Sequence, residues 1–167
     1  MLKPALLYKE ELEKKDIATM DDLSKMWWHG NPYRYTLQIG ENTDKNYGTY
    51  DYACVNNKNE VIGFFSYFID WQVRMATSFC VVSYMDKPNI ILVKDCINKI
   101  TSLFNDNGMQ KITWRSYADN PFIKSYRKFI KRHGGREVGI ERRHGMLEDG
   151  KLHDSVIFEI LKEDYKP

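Results

Sequence analysis

The sequence predicts an α+β domain built on one mixed, mostly antiparallel sheet of about six to seven strands flanked by helices. Three observations carry that expectation. Hairpin signals cluster in the middle and at the end of the chain, one strand–helix–strand crossover lies between them, and the apolar spacing switches between about 2 and about 3.6 residues from segment to segment. The 167 residues, 43% hydrophobic and 29% charged, suffice for one domain with a core of its own. No internal period recurs and no Pro-, Gly- or Ser-rich stretch divides the chain, so residues 1–167 read as a single domain.

The elements follow in order. Residues 3–8 form a short edge strand, and a charged helical stretch follows in which Leu12, Ile17, Met20, Leu23 and Trp27 recur at roughly helical intervals until Gly30-Asn31-Pro32 stops it. Tyr33 to Asn46 is irregular and polar. The turn signal Asn56-Asn57-Lys58-Asn59 joins strands at Asp51–Val55 and Val61–Trp71, and a third strand, Thr77–Tyr84, completes a central meander. Leu92, Val93, Cys96, Ile97, Ile100, Leu103 and Phe104 then share one helical face, which ends at Asn107-Gly108. Met109–Tyr117 alternates as a strand. Asn120-Pro121 opens a helix with an Asn cap and Pro at the first helical position; Phe122, Ile123, Tyr126, Phe129 and Ile130 form its apolar stripe, and Gly134-Gly135 closes it. Two strands, Arg136–Met146 and Leu152–Leu161, flank Glu148-Asp149-Gly150 as a closing hairpin.

Composition narrows function. Lys+Arg at 25 against Asp+Glu at 23 leaves a net charge of +2, too balanced for a protein that works by neutralising phosphates, so no nucleic-acid partner is expected. Cys54, Cys80 and Cys96 show no CxxC and no nearby His at ligand spacing, which signals neither a disulfide framework nor a zinc site. His29, His133, His144 and His153 show no metal-binding spacing, so no metal is expected. Ser78, Cys80 and Ser83 lack the glycines of a nucleophile elbow, which argues against a hydrolase. No signal-peptide core or membrane span stands out, so a cytoplasmic protein without membrane contact is expected.

Asn120-Pro121, Gly134, Gly139, Arg142, Gly150-Lys151, His153-Asp154 and Leu161-Lys162-Glu163 occur in the order found after the central strands of the GCN5-related N-acetyltransferase (GNAT) family, which this chain resembles. The resemblance covers the last third of the chain by motif and Val61 to Tyr84 by element order; the first fifty residues match only as a strand followed by helices. It implies a GNAT-like sheet with a splayed central strand pair, here Thr77–Tyr84 and Met109–Tyr117, between which the pantetheine arm of acetyl-coenzyme A pairs. The family's glycine-rich phosphate loop is missing. Tyr84-Met85-Asp86-Lys87-Pro88-Asn89-Ile90-Ile91 stands in its place, and there a helix N-terminus still offers N–H groups and a positive dipole end to a pyrophosphate.

Residue by residue, the resemblance places the thioester beside Val81, Val82 and Ser83, the pyrophosphate at Tyr84, Lys87, Asn89, Ile90 and Ile91, and the arm near Asn120. Counting forward from Asn120 puts the family's helix tyrosine beside Tyr126, counting back from Gly134 puts it on Ile130, and only Tyr126 can protonate a thiolate. It also lies on the apolar stripe, where packing alone would explain it. Asp70, at a strand end, is the expected water-relayed base or else a turn residue. Trp27, Trp28 and Tyr33 border the acceptor, a small-molecule or peptide amine, or pack on the sheet. His153-Asp154 belongs to the closing hairpin, where adjacent residues face opposite ways, and reads as structural. The implied activity is acetyl transfer from acetyl-coenzyme A to a primary amine by direct attack in a ternary complex, in a monomer or homodimer. The alternative is a GNAT-fold binding module without transfer activity.

Overall fold

The computed structural model describes residues 1–19, 22–29, 37, 39–42, 48–86 and 89–167, with backbone alone at 28 and 29. The chain folds as an α+β structure on one seven-stranded sheet, in the order β1-β2-β3-β4-β5-β7-β6. The strands are β1 (Leu2–Pro4), β2 (Thr49–Val55), β3 (Val61–Asp70), β4 (Met75–Ser83), β5 (Lys111–Tyr117), β6 (Arg136–Met146) and β7 (Leu152–Leu161). The helices are α1 (Lys9–Thr19), α2 (Met26–His29), α3 (Ile90–Asn105) and α4 (Ile123–His133). Neighbouring strands are antiparallel except β4 and β5, which run parallel around the α3 crossover.

Two apolar layers clothe the sheet. On one face, Leu92, Ile100, Leu103 and Phe104 of α3 and Ile123 and Ile130 of α4 pack on Phe65, Tyr67, Ile112, Trp114, Val156, Phe158 and Ile160. On the other, Leu12 of α1 packs with Ala53, Val55, Val61, Phe64 and Val82. Full burial of each of these large side chains contributes about 1.5–3 kcal/mol. Glu159 stitches three strands of the sheet: its buried carboxylate takes Lys111 of β5 at 2.6 Å and Arg136 of β6 at 2.7 Å. The Lys111 bond foremost, then Arg136, holds that carboxyl below the usual carboxylate range.

The local expectations hold where short-range chemistry decides. Asn56 turns the β2–β3 hairpin by accepting the Lys58 and Glu60 N–H groups, and Asn59 adopts φ 63. Gly134 ends α4 at φ 81. β2 and β4 start two residues earlier than expected, at Thr49 and Met75, and β5 two later, at Lys111; three further boundaries differ for local reasons. The first strand stops at Pro4, which pairs with Tyr52, and Ala5–Tyr8 is a 3-10 turn rather than strand. The long helical stretch is not continuous: α1 ends at Thr19, and Leu23–Lys25 is a 3-10 turn capped by Asp22 before α2. The last helix starts at Ile123, because Asn120 closes a turn through its backbone carbonyl to Ile123 N and its Oδ1 to Phe122 N.

Candidate active site

β4 and β5 pair only at Met75↔Lys111 and Ala76↔Ile112; from there β4 runs on to Ser83 and β5 to Tyr117 with no ladder between them. β4 itself supplies the reason. Thr77 lies opposite Phe68 but Cys80 lies opposite Ser66, so β4 holds one extra residue against β3. Ser78 sits in this bulge at φ 55, a left-handed conformation that costs a serine about 1–2 kcal/mol. Bulges bend their strand and increase its twist, and this one falls two residues beyond the last β4–β5 pair, turning β4 away.

The edge of β4 that borders the opening is chemically defined. Tyr84 N donates to Ile62 O of β3 at 3.1 Å. Alternate residues of an antiparallel strand turn their backbone to the same neighbour, so Val82 and Cys80 serve β3, while Val81 and Ser83 aim N–H and C=O at the gap. Val82 is thus a core residue whose backbone is committed elsewhere. β5 is paired with β7 along its far edge from Lys111 to Tyr117, which leaves its near edge as the opposite wall.

At the open end, Asn89 caps α3. Its Oδ1 accepts Leu92 N at 3.0 Å and its Nδ2 donates to Ile62 O at 2.9 Å, pinning the helix start to β3. The N–H groups of Ile90 and Ile91 remain at the first turn of a 16-residue helix, where Ile90 is 77% exposed. Lys87 lies outside the described residues. Asn120, 8% exposed, spends Oδ1 on Phe122 N, and its Nδ2 makes no hydrogen bond among the described residues. Asp70 sits near the apex of the gap, where its Oδ1 accepts the Gln72 and Val73 N–H groups.

Tyr126 projects from α4 into the layer it shares with α3, its ring 6.2 Å from that of Phe158. Burial, then the Cys80 and Cys96 thiols, push its hydroxyl up to about 12. Cys80 itself is pushed up to about 12 and Cys54 to about 11, both chiefly by burial, and Cys96 is raised as well. All three thiols are free and keep their protons at neutral pH.

The other face of the gap carries a cluster that sequence reasoning missed. Trp27 of α2 lies 5.4 Å edge-on from His153 and 6.3 Å from Tyr117, ring to ring. His153 bonds not to its neighbour Asp154, which accepts Arg143 N, but to Asp119 at 3.2 Å and Asp149 at 3.1 Å. Gly145 is the sequence signal that was available, since a Cβ there would lie 2.7 Å from the Tyr117 hydroxyl. The aromatic segment is only partly visible: Trp28 contributes backbone alone and Tyr33 lies outside the described residues.

No protein-family model matches the chain, and no curated protein matches it significantly in sequence. Solved structures do match in three dimensions. A probable acetyltransferase superposes with a TM-score of 0.69 at 19% identity, over 93% of this chain and 88% of its own. A GCN5-related N-acetyltransferase from Brucella melitensis gives 0.67 at 16%, over 98% of this chain and 76% of its own. The fold is that of the GNAT acetyltransferases. Spermidine/spermine N-acetyltransferase from Vibrio cholerae gives 0.59 at 18%, with 70% of this chain spanning 66% of that one, just under two thirds of its length.

The expectation that Asn120 serves a coenzyme as well as its turn is directly testable. Asn120→Asp retains an oxygen for Phe122 N, so the turn survives, but it loses the Nδ2 donor and adds a negative charge. The expected result is acetyl-coenzyme A affinity reduced about tenfold or more at nearly unchanged melting temperature, read by calorimetry. Equal affinity would restrict Asn120 to the turn.

Proposed function

We propose that the chain is an N-acetyltransferase that passes an acetyl group from acetyl-coenzyme A to a primary amine by direct attack in a ternary complex. The observation that carries this reading is the β4–β5 gap, with Val81 and Ser83 presenting backbone groups along it. A pantetheine arm carries amides that pair with a strand edge as a peptide does, and the Ile90 and Ile91 N–H groups suit a pyrophosphate at a helix start. The residues fit that co-substrate despite the glycine-free Tyr84–Ile91 connection. The acetyl thioester supplies a carbonyl carbon already activated for attack.

The chain's own groups supply the rest. Holding both reactants in place lowers the barrier by about 7–11 kcal/mol in well-oriented systems. The Val81 N–H stands where a donor is needed for the carbonyl oxygen as charge develops on it. Tyr126, kept protonated at neutral pH, donates to the departing sulfur. Thiols held protonated at buried Cys54 and half-buried Cys80 and Cys96 offer no thiolate to carry the acetyl group, which favours direct attack over a cysteine relay. Asp70, at the closed end of the gap opposite Met75, lies roughly 15–20 Å along the strands from Val81, too far to draw the ammonium proton through one water. Trp27 borders the acceptor, on the sheet face opposite Tyr126; Trp28 and Tyr33 remain acceptor candidates from the sequence alone. A small amine or peptide amine is the acceptor class, in line with the polyamine named for the Vibrio cholerae neighbour. The protein is proposed as a cytoplasmic monomer or homodimer without a nucleic-acid partner; among the described residues no helix is long and apolar enough to cross a membrane.

The second reading, a binding module without transfer activity, is favoured by the glycine-free connection. One experiment separates them: a thermal-shift titration with acetyl-coenzyme A, paired with thiol release over a panel of amines. Coenzyme at a hundred times its dissociation constant adds ~2.7 kcal/mol of stability. A shift with thiol release supports the enzyme, and a shift without it supports the binding module. No shift, and no chemical-shift change at residues 81–91, would remove both.

A further inference from the structure

His153 is 7% exposed, and both of its ring nitrogens face carboxylates. Nδ1 lies 3.2 Å from Asp119 Oδ2, and Nε2 lies 3.1 and 3.3 Å from the two Asp149 oxygens. Only an imidazolium donates on both sides; the neutral ring must give up one bond. The two carboxylates come from separate elements, Asp119 from the turn between β5 and α4 and Asp149 from the turn between β6 and β7. A third element closes the group, because Trp27 of α2 stands edge-on to the same ring at 5.4 Å.

We propose that protonated His153 is a positioning residue that locks the β6–β7 turn and Trp27 onto the β5–α4 turn, so that the acceptor side of the gap is ordered when His153 carries its proton and loosens when it does not. The lock acts through what its partners carry. Asp119 immediately precedes Asn120, whose turn starts α4 and sets Tyr126. Trp27 stands on the proposed acceptor side, so the functional consequence rests on the acetyltransferase reading, whereas the lock itself does not.

The surroundings set the direction. Burial of the ring pulls its proton affinity down, the bonds and charges of Asp149 and Asp119 push it up, and the carboxylates prevail, so it lies above the ordinary histidine value. Tyr117 of β5 faces His153 at 6.1 Å as a neutral phenol, itself raised by burial. From β6, His144 packs against Tyr117 but is engaged by Glu141 at 2.8 Å, which also holds Arg115 at 2.9 Å. Lys151 reaches Asp149 through its backbone N–H, and Asp154 is turned away to Arg143 N. The sign follows: a histidine raised on folding adds stability that is complete below its unfolded value near 6.5 and disappears as pH rises through the raised value.

The test follows the His153 ring protons and the Trp27 indole N–H by NMR between about pH 5 and 9. The expected result is one shared midpoint above the ordinary histidine value, moved down in both signals by Asp119→Asn or Asp149→Asn, two turn substitutions. A Trp27 signal that does not follow His153, or a His153 midpoint unaffected by both substitutions, overturns the lock. In the transfer assay, the amine KM of the native chain should rise about 3- to 10-fold across that midpoint, relative to His153→Gln, with the coenzyme KM unmoved. An equal pH profile in the two proteins overturns the positioning role. If the native chain transfers no acetyl group at any pH, the acetyltransferase reading fails and the NMR arm still decides the lock.

Discussion

Tyr126→Phe should lower turnover roughly 10²- to 10⁴-fold, the range supplied by one well-placed proton donor, and leave coenzyme affinity within about twofold. The substitution is clean because the ring does the packing. Phenylalanine keeps the face against Phe158 and the place between α3 and α4, while it removes the hydroxyl proposed to protonate a departing thiolate. No hydrogen bond of that hydroxyl to another described residue is broken, so stability should change by less than about 1 kcal/mol. The sign of the pH dependence is also set. With the hydroxyl raised to about 12, the proposed transfer activity of the native chain should show no loss from tyrosinate formation anywhere in the neutral range. Steady-state thiol release with a saturating amine measures both quantities. Unchanged turnover in a folded variant would return Tyr126 to the core.

Gly134→Ala should destabilise the fold by about 2–4 kcal/mol, for a reason unrelated to the site. Gly134 ends α4 at φ 81, where an L side chain costs about 1–2 kcal/mol on its own. Its hydrogen also faces the backbone: a Cβ there would lie 1.8 Å from the Asp164 carbonyl oxygen. That carbonyl cannot swing aside alone, since the segment around it is docked. His133 Nδ1 lies 2.6 Å from Lys166 O, Tyr165 shares a 2.6 Å hydrogen bond with Thr101 of α3, and its ring sits 4.6 Å from Phe104. Relieving the clash therefore breaks contacts to two helices. Urea unfolding gives the number, and a loss below about 1 kcal/mol would show that the segment shifts freely.

What the sequence revealed and what it concealed divide along a physical line. Asn56–Asn59, the α3 and α4 stripes apart from exposed Val93 and Phe122, Gly134 and the order of strands are legible because each depends on a few neighbouring residues. The parting of β4 from β5 is expected through the family resemblance alone, since separated backbones leave no side-chain code and even the bulge residue is Ser78 rather than a glycine. The break between α1 and α2 is hidden by apolar residues that keep roughly helical spacing across it. Asp119, Asp149 and His153 were each visible as residues, but 34 positions separate the first from the last, and only the closing hairpin brings them together. Tyr126 is chosen over Ile130, the result of the count back from Gly134, because only its hydroxyl can protonate a thiolate.

The joint at Ala76 and Ile112 also governs how the molecule comes apart. β1–β4 are laced by antiparallel ladders on one side and β5–β7 on the other, with two residue pairs between them and the α3/α4 layer laid across. Such a sheet has a seam, and the amides along it, Val81 and Ser83 first, exchange with solvent at a lower opening free energy than those inside either half. A molecule that hydrogen-bonds along that edge takes the place of a missing strand. Its binding free energy then adds to the cohesion of the sheet, so that two half-sheets able to open separately would unfold as one cooperative unit when the seam is filled.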